Sequence, residues 1–217
     1  VDYHNWFDSI TGIENSELHQ GMVYVERHRT KGKKTKFFPG PDFVLGSLVF
    51  DGQPYFDLDL KYDVFDDQLL MKVDRQVGGR ILQFYKAKVN RFSIGGHDFV
   101  QINDAQINSG FYELSLKKPL FSLLKRYKKN LIEQLGKKLI FYEFEDGKME
   151  CFLYYRQEYH AIKKVSDLTD LFPEHTAQLK SFHKNQSSKA DFDVLLEGLL
   201  VHLDTLLDEG STKTTEN

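Results

Sequence analysis

The sequence predicts an α+β fold. We expect an antiparallel β-meander of about seven or eight strands, as a curved sheet or partly open barrel, then a helix, a small β-hairpin unit and C-terminal helices. Three observations predict it. The 217 residues include 18 Phe and 11 Tyr, which favour half-buried sheet surfaces. Turn dipeptides recur between short apolar runs over residues 21–112, and helical spacing dominates from residue 166.

The clearest strand follows Asp51-Gly52, a dipeptide typical of tight hairpin turns. Its residues alternate strictly, which predicts one buried face and one face in water. The apolar set is Phe56, Leu58, Leu60, Tyr62 and Val64, and the polar set is Asp57, Asp59, Lys61 and Asp63. A weaker alternation runs from Gly21 to Arg29, and later turns are predicted at Asp66-Asp67, Gly78-Gly79 and Gly95-Gly96.

At Pro119 the spacing of apolar residues changes from that of a strand to that of a helix. Residues 119–136 are predicted to form a helix that ends at Gly136. The apolar stripe comprises Leu120, Leu123, Leu124, Tyr127, Leu131 and Leu135. A second Asp-Gly hairpin is expected at Asp146-Gly147, between strands at 139–145 and 148–155, with a further strand at 159–162. Helices are predicted to begin at Ser166 and Pro173 and to cover 191–207.

These segments predict four parts of the chain. Residues 1–20 form an N-terminal extension, 21–116 an antiparallel β domain, 117–208 an α/β C-terminal domain, and 209–217 a flexible tail.

Composition excludes several classes of protein. Hydrophobic residues make up 41% and charged residues 28%, which excludes a disordered chain. Cys151 is the only cysteine, so an intrachain disulfide and a cysteine-based zinc cluster are excluded. No apolar run approaches the roughly 20 residues that a spanning helix needs.

Motifs of catalysis and metal binding are weak. The sequence has no G-x-S-x-G, S-x-x-K or Walker pattern, and no histidine pair has H-x-x-x-H spacing. The aspartates at 57, 59, 63, 66 and 67 lack the Gly and Glu of a calcium loop, so we interpret those on the strand as its wet face. Cys151 is expected to be a buried apolar residue. We therefore expect no enzymatic activity, no metal and no cofactor.

Charge is clustered although the formal net charge is only −3. Residues 26–36 hold six basic residues against Glu26, residues 117–138 hold eight against Glu133, and residues 191–217 are acidic. The first cluster is predicted to contact a partner, with two adjacent phenylalanines. The predicted contact residues are Arg27, Arg29, Lys31, Lys33, Lys34, Lys36, Phe37 and Phe38. We expect a protein partner and no nucleic acid.

Several stretches together resemble a family of exported cell-envelope proteins of Bacteroidota. They include TGIEN at 11–15, GMVYVE at 21–26, GSLVFDGQPYF at 46–56, LKYDVFDDQL at 60–69, GFYEL at 110–114 and LFP at 171–173. The resemblance covers most of residues 10–207. It implies a signal peptide removed before Val1 and a periplasmic or outer-membrane-associated location, but no catalytic residues. It also implies O-glycosylation at Ser9, within Asp8-Ser9-Ile10.

We therefore expect a non-enzymatic accessory subunit of an outer-membrane protein complex, not itself transmembrane, with peripheral membrane association as a further expectation. The Tyr- and Phe-rich sheet suits protein contacts. The alternative is a protein that binds a lipid or glycan in a sheet concavity or barrel mouth. A hydrolase that uses an acid pair such as Glu143 and Glu145 is a third alternative.

Overall fold

The computed structural model describes residues 21–30, 34–73, 79–136, 139–186 and 191–213, the last range with side chains to residue 208. Ser9, Lys31, Lys33 and the predicted N-terminal extension lie outside the described residues. The chain forms two compact units. The first comprises Val1–Glu113 with Arg126–Met149, and the second comprises Leu114–Lys125 with Glu150–Asn217.

Strands dominate the described residues as far as residue 161, and helices follow. The strands are β1 Gly21–Val23, β2 Phe37–Phe38, β3 Val44–Phe50, β4 Gln53–Asp63, β5 Gln68–Lys72, β6 Ile81–Phe84, β7 Val89–Ile94, β8 His97–Ile102, β9 Gly110–Lys117, β10 Phe121–Arg126, β11 Lys129–Leu135, β12 Ile140–Asp146, β13 Glu150–Tyr155 and β14 Glu158–Ala161. The α-helices are α1 Val165–Leu171, α2 Thr176–Lys184 and α3 Phe192–Lys213.

The first unit is built on an antiparallel sheet with the strand order β1-β6-β5-β4-β3-β7-β8-β9, in which β2 also pairs with β4. β11 and β12 form a separate two-stranded sheet. The predicted α+β class and the large antiparallel sheet are confirmed. Strands β3 to β6 follow the predicted meander, whereas β7 returns to pair with β3.

The sheet of the first unit curls sharply. In a flat sheet β6 and β7 would lie about 19 Å apart, four strand spacings. The rings of Phe84 in β6 and Phe50 in β3 nevertheless lie 5.4 Å apart. The curl brings β6 back over β3, so residues 85–88 suffice to connect β6 with β7. The strand order has two ends, so the described strands form an open sheet.

The predicted turn at Asp51-Gly52 is confirmed, and a β-bulge refines the strand that follows. Asp51 and Gly52 have φ values of +50° and +83°, the left-handed pair that such a hairpin turn requires. Asp57 also has a positive φ, where the register with β3 shifts between Gly46 and Leu48. The bulge changes the phase of burial, so that Tyr55 is buried in place of Phe56.

Aromatic side chains fill the core of the first unit. Tyr62 lies 5.4 Å from Phe92 and 5.2 Å from Phe99 between ring centroids, and Phe111 packs edge-on against it. Phe92 and Phe99 stack at 4.8 Å. The aromatic excess of the sequence is thus largely core packing between facing strands.

The predicted helix over residues 119–136 is wrong, because β10 and β11 occupy this segment. In β10 both faces are covered: Phe121 and Leu123 are buried, and so are Leu124 and Lys125. A strand covered on both sides has a continuous apolar run, which matches a helical stripe as well as it matches a strand. Tertiary pairing decided between the two.

The predicted hairpin at Asp146-Gly147 is also wrong, although strands flank it. β12 pairs with β11, and β13 pairs with β14. The Gly147 amide donates a hydrogen bond to the Lys128 carbonyl at 2.8 Å, and a side chain at Gly147 would meet Lys128 Cβ at 3.0 Å. Asp146-Gly147 therefore lies at the end of β12, at the base of the β11–β12 hairpin.

The second unit contains the end of β9 with β10, β13, β14 and the three helices. α1 and α3 begin within one residue of the predicted starts at Ser166 and Asp191. A 3₁₀ turn occupies Pro173–His175, and α2 begins at Thr176, three residues after the predicted start at Pro173. α3 buries Leu196, Leu199, Leu200 and Leu203. No helix among the described residues is long and apolar enough to cross a membrane.

Candidate interaction site

β1 is an end strand of the first unit's sheet, and its outer edge is open in the described part of the chain. The Tyr24 amide donates to the Ile81 carbonyl at 2.9 Å, so residues 22 and 24 face β6. Because hydrogen-bonded and non-bonded pairs alternate in antiparallel strands, the backbone N–H and C=O of Val23 point away from β6. Val23 and Val25 are 64% and 70% exposed.

A groove of about 570 Å³ runs beside this edge. Two fully buried polar atoms of its lining, Nδ1 of His28 and Oε1 of Gln68, have no hydrogen-bond partner. The His28 ring is held edge-on between Phe65 and Phe144, at 5.7 and 5.4 Å. The groove is lined by Met22, Val23, Tyr24, Val25, Arg27, His28, Lys36, Phe65, Asp66, Gln68 and Gln83.

The predicted basic segment continues from this edge and lies along β12. The Tyr142 amide donates to the Arg29 carbonyl at 2.9 Å, and the Phe144 amide donates to the Lys34 carbonyl at 3.3 Å. Thr30 forms a parallel bridge with Tyr142. The described part of the segment is therefore held by backbone hydrogen bonds.

Lys36 does not belong to the exposed surface that the sequence predicts, because it is buried in an ion cluster. Its Nζ lies 2.8 Å from Asp63 Oδ2, 3.2 Å from Glu26 Oε1 and 3.3 Å from Asp66 Oδ2. Asp63 was expected on the wet face of β4, and this expectation is wrong because its side chain is fully buried. The lysine compensates the buried carboxylate, as burial of a charge requires.

Burial and pairing shift the pKa values in this cluster. Burial alone would lower the pKa of Lys36, but its hydrogen bonds with Asp63 and Tyr24 outweigh burial and raise that pKa. Burial raises the pKa of Asp63 although Lys36 opposes the shift, and burial also raises the pKa of the Tyr24 phenol. Burial opposes the ionised form of Glu26, but hydrogen bonds from Tyr24 and the His28 amide lower its pKa.

Arg27 and Arg29 are exposed and make no close ion pair with any residue that the structure describes. The Arg29 guanidinium lies over the Phe141 ring, 5.9 Å from its centroid. Lys34 is exposed but paired with Glu145 at 2.7 Å and Glu143 at 3.6 Å. The two glutamates named as an acid pair thus share one lysine.

Phe37 and Phe38 are half-buried and pack inside the unit. The Lys61 ammonium lies 4.6 Å from the Phe37 ring centroid and 4.2 Å from that of Phe43. Phe38 contacts the rings of His97 and Tyr127, at 4.9 and 4.8 Å. These rings hold the segment in place instead of forming a separate aromatic patch.

The β11–β12 hairpin carries exposed apolar side chains at its tip. Leu135, Leu139 and Ile140 are 91%, 51% and 46% exposed. The Gly136 amide donates to the Leu139 carbonyl at 2.9 Å and closes the turn. These residues were predicted on a helix and at a strand start.

Asp67, one of the aspartates considered as calcium ligands, is bound by protein donors. Asp67 Oδ1 accepts from the Tyr62 hydroxyl at 2.7 Å and from the Phe111 amide at 3.3 Å, and Asp67 Oδ2 pairs with Lys86. No group of three or more His, Cys, Asp or Glu side chains suitable for a metal occurs in the described ranges. Cys151 is buried, as expected.

One polar triad resembles acid–base machinery. His97 Nδ1 lies 2.6 Å from Glu113 Oε1, and the Tyr127 hydroxyl donates to Glu113 Oε2 at 2.7 Å. The nearby Ser93 pairs in register with Asp98 and hydrogen-bonds to it, so it lies on the strand face opposite His97. The triad orients His97 without presenting Ser93 to it as a nucleophile.

Sequence reasoning missed the β1 edge and the Lys36 cluster. The available signal at the edge was the parity of Val23 and Val25 opposite Tyr24 and Glu26. The cluster joins residues up to 40 positions apart in the chain, and no local pattern carries that information.

Comparison with models of known protein families, with curated proteins and with solved structures found no match. The resemblance to exported Bacteroidota proteins therefore stays a prediction, as do the signal peptide and the location in the cell envelope.

Proposed function

We propose that this protein is a non-enzymatic accessory subunit of a cell-envelope protein complex, associated with the outer membrane. It joins the complex by accepting an extended segment of its partner at the β1 edge. The observation that carries the proposal is a sheet edge that no described strand covers, with exposed valines, beside an arginine and a groove. The envelope location rests on the sequence resemblance.

The backbone of β1 supports this mode of binding. Exposed sheet edges recruit extended peptides, because unpaired N–H and C=O groups form a new ladder. Val23 turns these groups outward while Tyr24 keeps the ladder to β6. Natural proteins protect such edges with charges or proline, but Met22, Val23 and Val25 are exposed and apolar.

The side chains indicate the chemistry of the partner. Aliphatic side chains on the edge suit alternate apolar residues of an added strand. Arg27 follows on the same segment, is exposed and lines the groove. A guanidinium binds carboxylates in a planar, bidentate manner, so we assign an acidic residue to the partner segment.

The test uses a tagged protein recovered from the membranes of its native host. Val23→Pro removes an outward N–H without removing a ladder hydrogen bond to β6, because the Val23 amide faces away from β6. We expect Val23→Pro to reduce recovery of the partner at least tenfold. Arg27→Glu should also reduce recovery, and by a larger factor at low ionic strength than at raised ionic strength, because salt screens the repulsion from an acidic partner residue.

Val23→Thr is the matched control, since it keeps the amide and the β-branched shape. It should recover the partner as the wild type does. Equal recovery by Val23→Pro and Val23→Thr, with both variants folded, would reject the edge as the docking site. A protein always recovered alone would reject the accessory role itself.

A second candidate function is small-ligand binding in the groove beside β1. The unpartnered Nδ1 of His28 and Oε1 of Gln68 favour it, because buried polar atoms usually have a partner. Mass spectrometry of small molecules released on denaturing the native protein tests it. A stoichiometric lipid or glycan would support this function, and its absence from protein purified without detergent would eliminate it.

A further inference from the structure

The floor of the groove beside β1 is one face of the sheet. Gln83 of β6 pairs in register with Met22 of β1 on one side and with Leu70 of β5 on the other. Gln68 lies two residues before Leu70 in β5, so its side chain is on the same face of the sheet. The two glutamines are therefore diagonal neighbours, with Cβ atoms about 7 Å apart, and both line the groove.

The neighbouring part of this face is covered by the chain itself. In β4 the same face continues with Lys61, opposite Leu70, and with Asp63, opposite Gln68. There the Phe37 ring packs on the Lys61 ammonium, and Lys36 pairs with Asp63. Beside this covered part lies the groove of about 570 Å³, a volume within the range of about 300–1,000 Å³ that is typical of small-molecule sites.

The exposed charges of the groove lining are balanced. Arg27 is an exposed cation of this lining and Asp66 an exposed anion, whereas the Lys36 ammonium is buried among carboxylates. An anionic ligand would be repelled by Asp66, and a cationic ligand would be repelled by Arg27. The lining therefore favours a ligand without net charge.

The polar atoms of the groove require a ligand that forms hydrogen bonds. Oε1 of Gln68 and Nδ1 of His28 have no partner, and an acyl chain in the groove would leave both atoms unpaired. A glutamine amide both donates and accepts, as a hydroxyl does, so each amide can bind two adjacent hydroxyls of one ligand. Gln68 is only partly buried, so rotation of its amide turns Oε1 toward such a hydroxyl.

Phe65 supplies an aromatic surface at the side of the groove. Its side chain is 36% exposed and lines the groove. The C–H bonds on one face of a sugar ring carry a slight positive charge, and they pack against the negative face of an aromatic ring. A sugar thus offers both of the contacts that this lining provides, hydroxyls for the amides and an apolar face for the ring.

We propose that the groove beside β1 binds a neutral saccharide, with Gln68 and Gln83 hydrogen-bonded to its hydroxyls and Phe65 packed on its ring. The inference rests on the second candidate function, because it names the class of ligand for the same groove. It selects a glycan over a lipid.

The experiment is isothermal titration calorimetry of the full chain with four neutral trisaccharides: maltotriose, cellotriose, mannotriose and tri-N-acetylchitotriose. Palmitate and inorganic phosphate are titrated as rival ligands. We expect at least one trisaccharide to bind, and neither rival. Gln68→Leu and Gln83→Leu should each weaken this binding about tenfold, because each removes hydrogen bonds to the ligand.

Gln134→Leu is the matched control, because Gln134 is an exposed glutamine on β11 outside the groove. It should bind the trisaccharide as the wild type does. Gln68→Leu also removes a buried acceptor that has no partner, so its thermal unfolding temperature should equal or exceed that of the wild type. This measurement separates loss of the ligand contact from loss of the fold.

Equal affinities of Gln68→Leu, Gln83→Leu and Gln134→Leu would overturn the inference. Binding of palmitate or phosphate in place of every trisaccharide would overturn it and leave the second candidate function standing. Binding of no trisaccharide would overturn it too, and mass spectrometry of the released molecules then decides the second candidate function separately. Partner recovery through β1 is measured independently with Val23→Pro.

Discussion

A single lysine shows how strongly tertiary pairing can change the meaning of a residue. Lys36 is one of six cations in a segment that suggested a solvated docking loop. In the structure its ammonium compensates Asp63, whose carboxylate is fully buried, together with Glu26 and Asp66. The cluster fixes residues 24–28 against β4 and thereby positions the β1 edge and Arg27.

Removing the charge of Lys36 should destabilise the fold. Lys36→Met leaves the Asp63 carboxylate buried without a cation, so we expect the free energy of unfolding to fall by about 3–5 kcal/mol. Urea denaturation followed by circular dichroism measures it. Combining it with Asp63→Asn should recover at least about 1 kcal/mol, because the unpaired charge is then absent.

Lys34→Met is the control for this cycle, since Lys34 pairs with Glu145 at the exposed surface. Its effect should be about 1 kcal/mol or less. Equal losses for Lys34→Met and Lys36→Met would contradict the account of the cluster.

Alkaline pH should weaken the fold through the same residues. The pKa values of Tyr24 and Lys36 are raised in the folded state above their ordinary values of 10.0 and 10.5. The unfolded chain therefore releases these protons at lower pH than the folded protein does. The contribution of Tyr24 and Lys36 to the free energy of unfolding is therefore fully present below pH 10.0. It is lost as the pH rises through the raised pKa values of the folded state.

The measurement is the free energy of unfolding as a function of pH from about pH 9 to about pH 11. The wild type should lose stability more steeply than a variant that combines Tyr24→Phe with Lys36→Met. An equal slope for the two proteins would show that other groups cause the alkaline loss.

At the scale of elements, a buried lysine again joins distant parts of one unit. Lys125 in β10 lies 2.9 Å from Asp193 and 2.8 Å from Glu197, both in α3. Both carboxylates remain partly exposed to water, whereas the Asp63 carboxylate that pairs with Lys36 is fully buried. The pairing differs in this respect from that of Lys36.

Substitution of Lys125 should therefore have a graded effect. Lys125→Met should lower the free energy of unfolding by about 1–2 kcal/mol, since Asp193 and Glu197 can regain water. Lys125→Glu brings a third carboxylate into the group and should lower it by more than about 3 kcal/mol. Thermal unfolding measures both, with Lys117→Met at an exposed position as control. Equal effects of Met and Glu would contradict the pairing.

Elements with a local signature could be predicted from the sequence. The Asp51-Gly52 turn and the C-terminal helix are such signatures, and both agree with the structure. The alternation at 56–64 correctly predicts the strand β4 but not its burial, because Lys61 and Asp63 are buried as well as their apolar neighbours. The segment 119–136 carries no decisive one, because a doubly covered strand and a helix share the same apolar pattern. The parity of Val23 and Val25 is a signal for the exposed face of β1, but that its outer edge is left uncovered by the described strands could not be predicted, since this depends on which strands pair.

At the scale of the whole molecule, the chain forms two units that are discontinuous in sequence. β9 crosses from the first unit to the second between Glu113 and Leu114, and the chain returns to the first unit at Arg126. The division into a β domain at 21–116 and an α/β domain at 117–208 stays a prediction. Limited proteolysis can test whether these two segments fold independently. The proposed docking surface at the β1 edge belongs to the first unit.

The most direct test of the central claim is photo-cross-linking from position 25 in native membranes. A cross-linking residue at Val25 should capture one partner protein, and adding Val23→Pro should abolish that product while Val23→Thr preserves it. The same probe at Val194, which is exposed on α3, should not capture this partner. Capture that survives Val23→Pro, or that is equal from Val194, would contradict docking at the β1 edge.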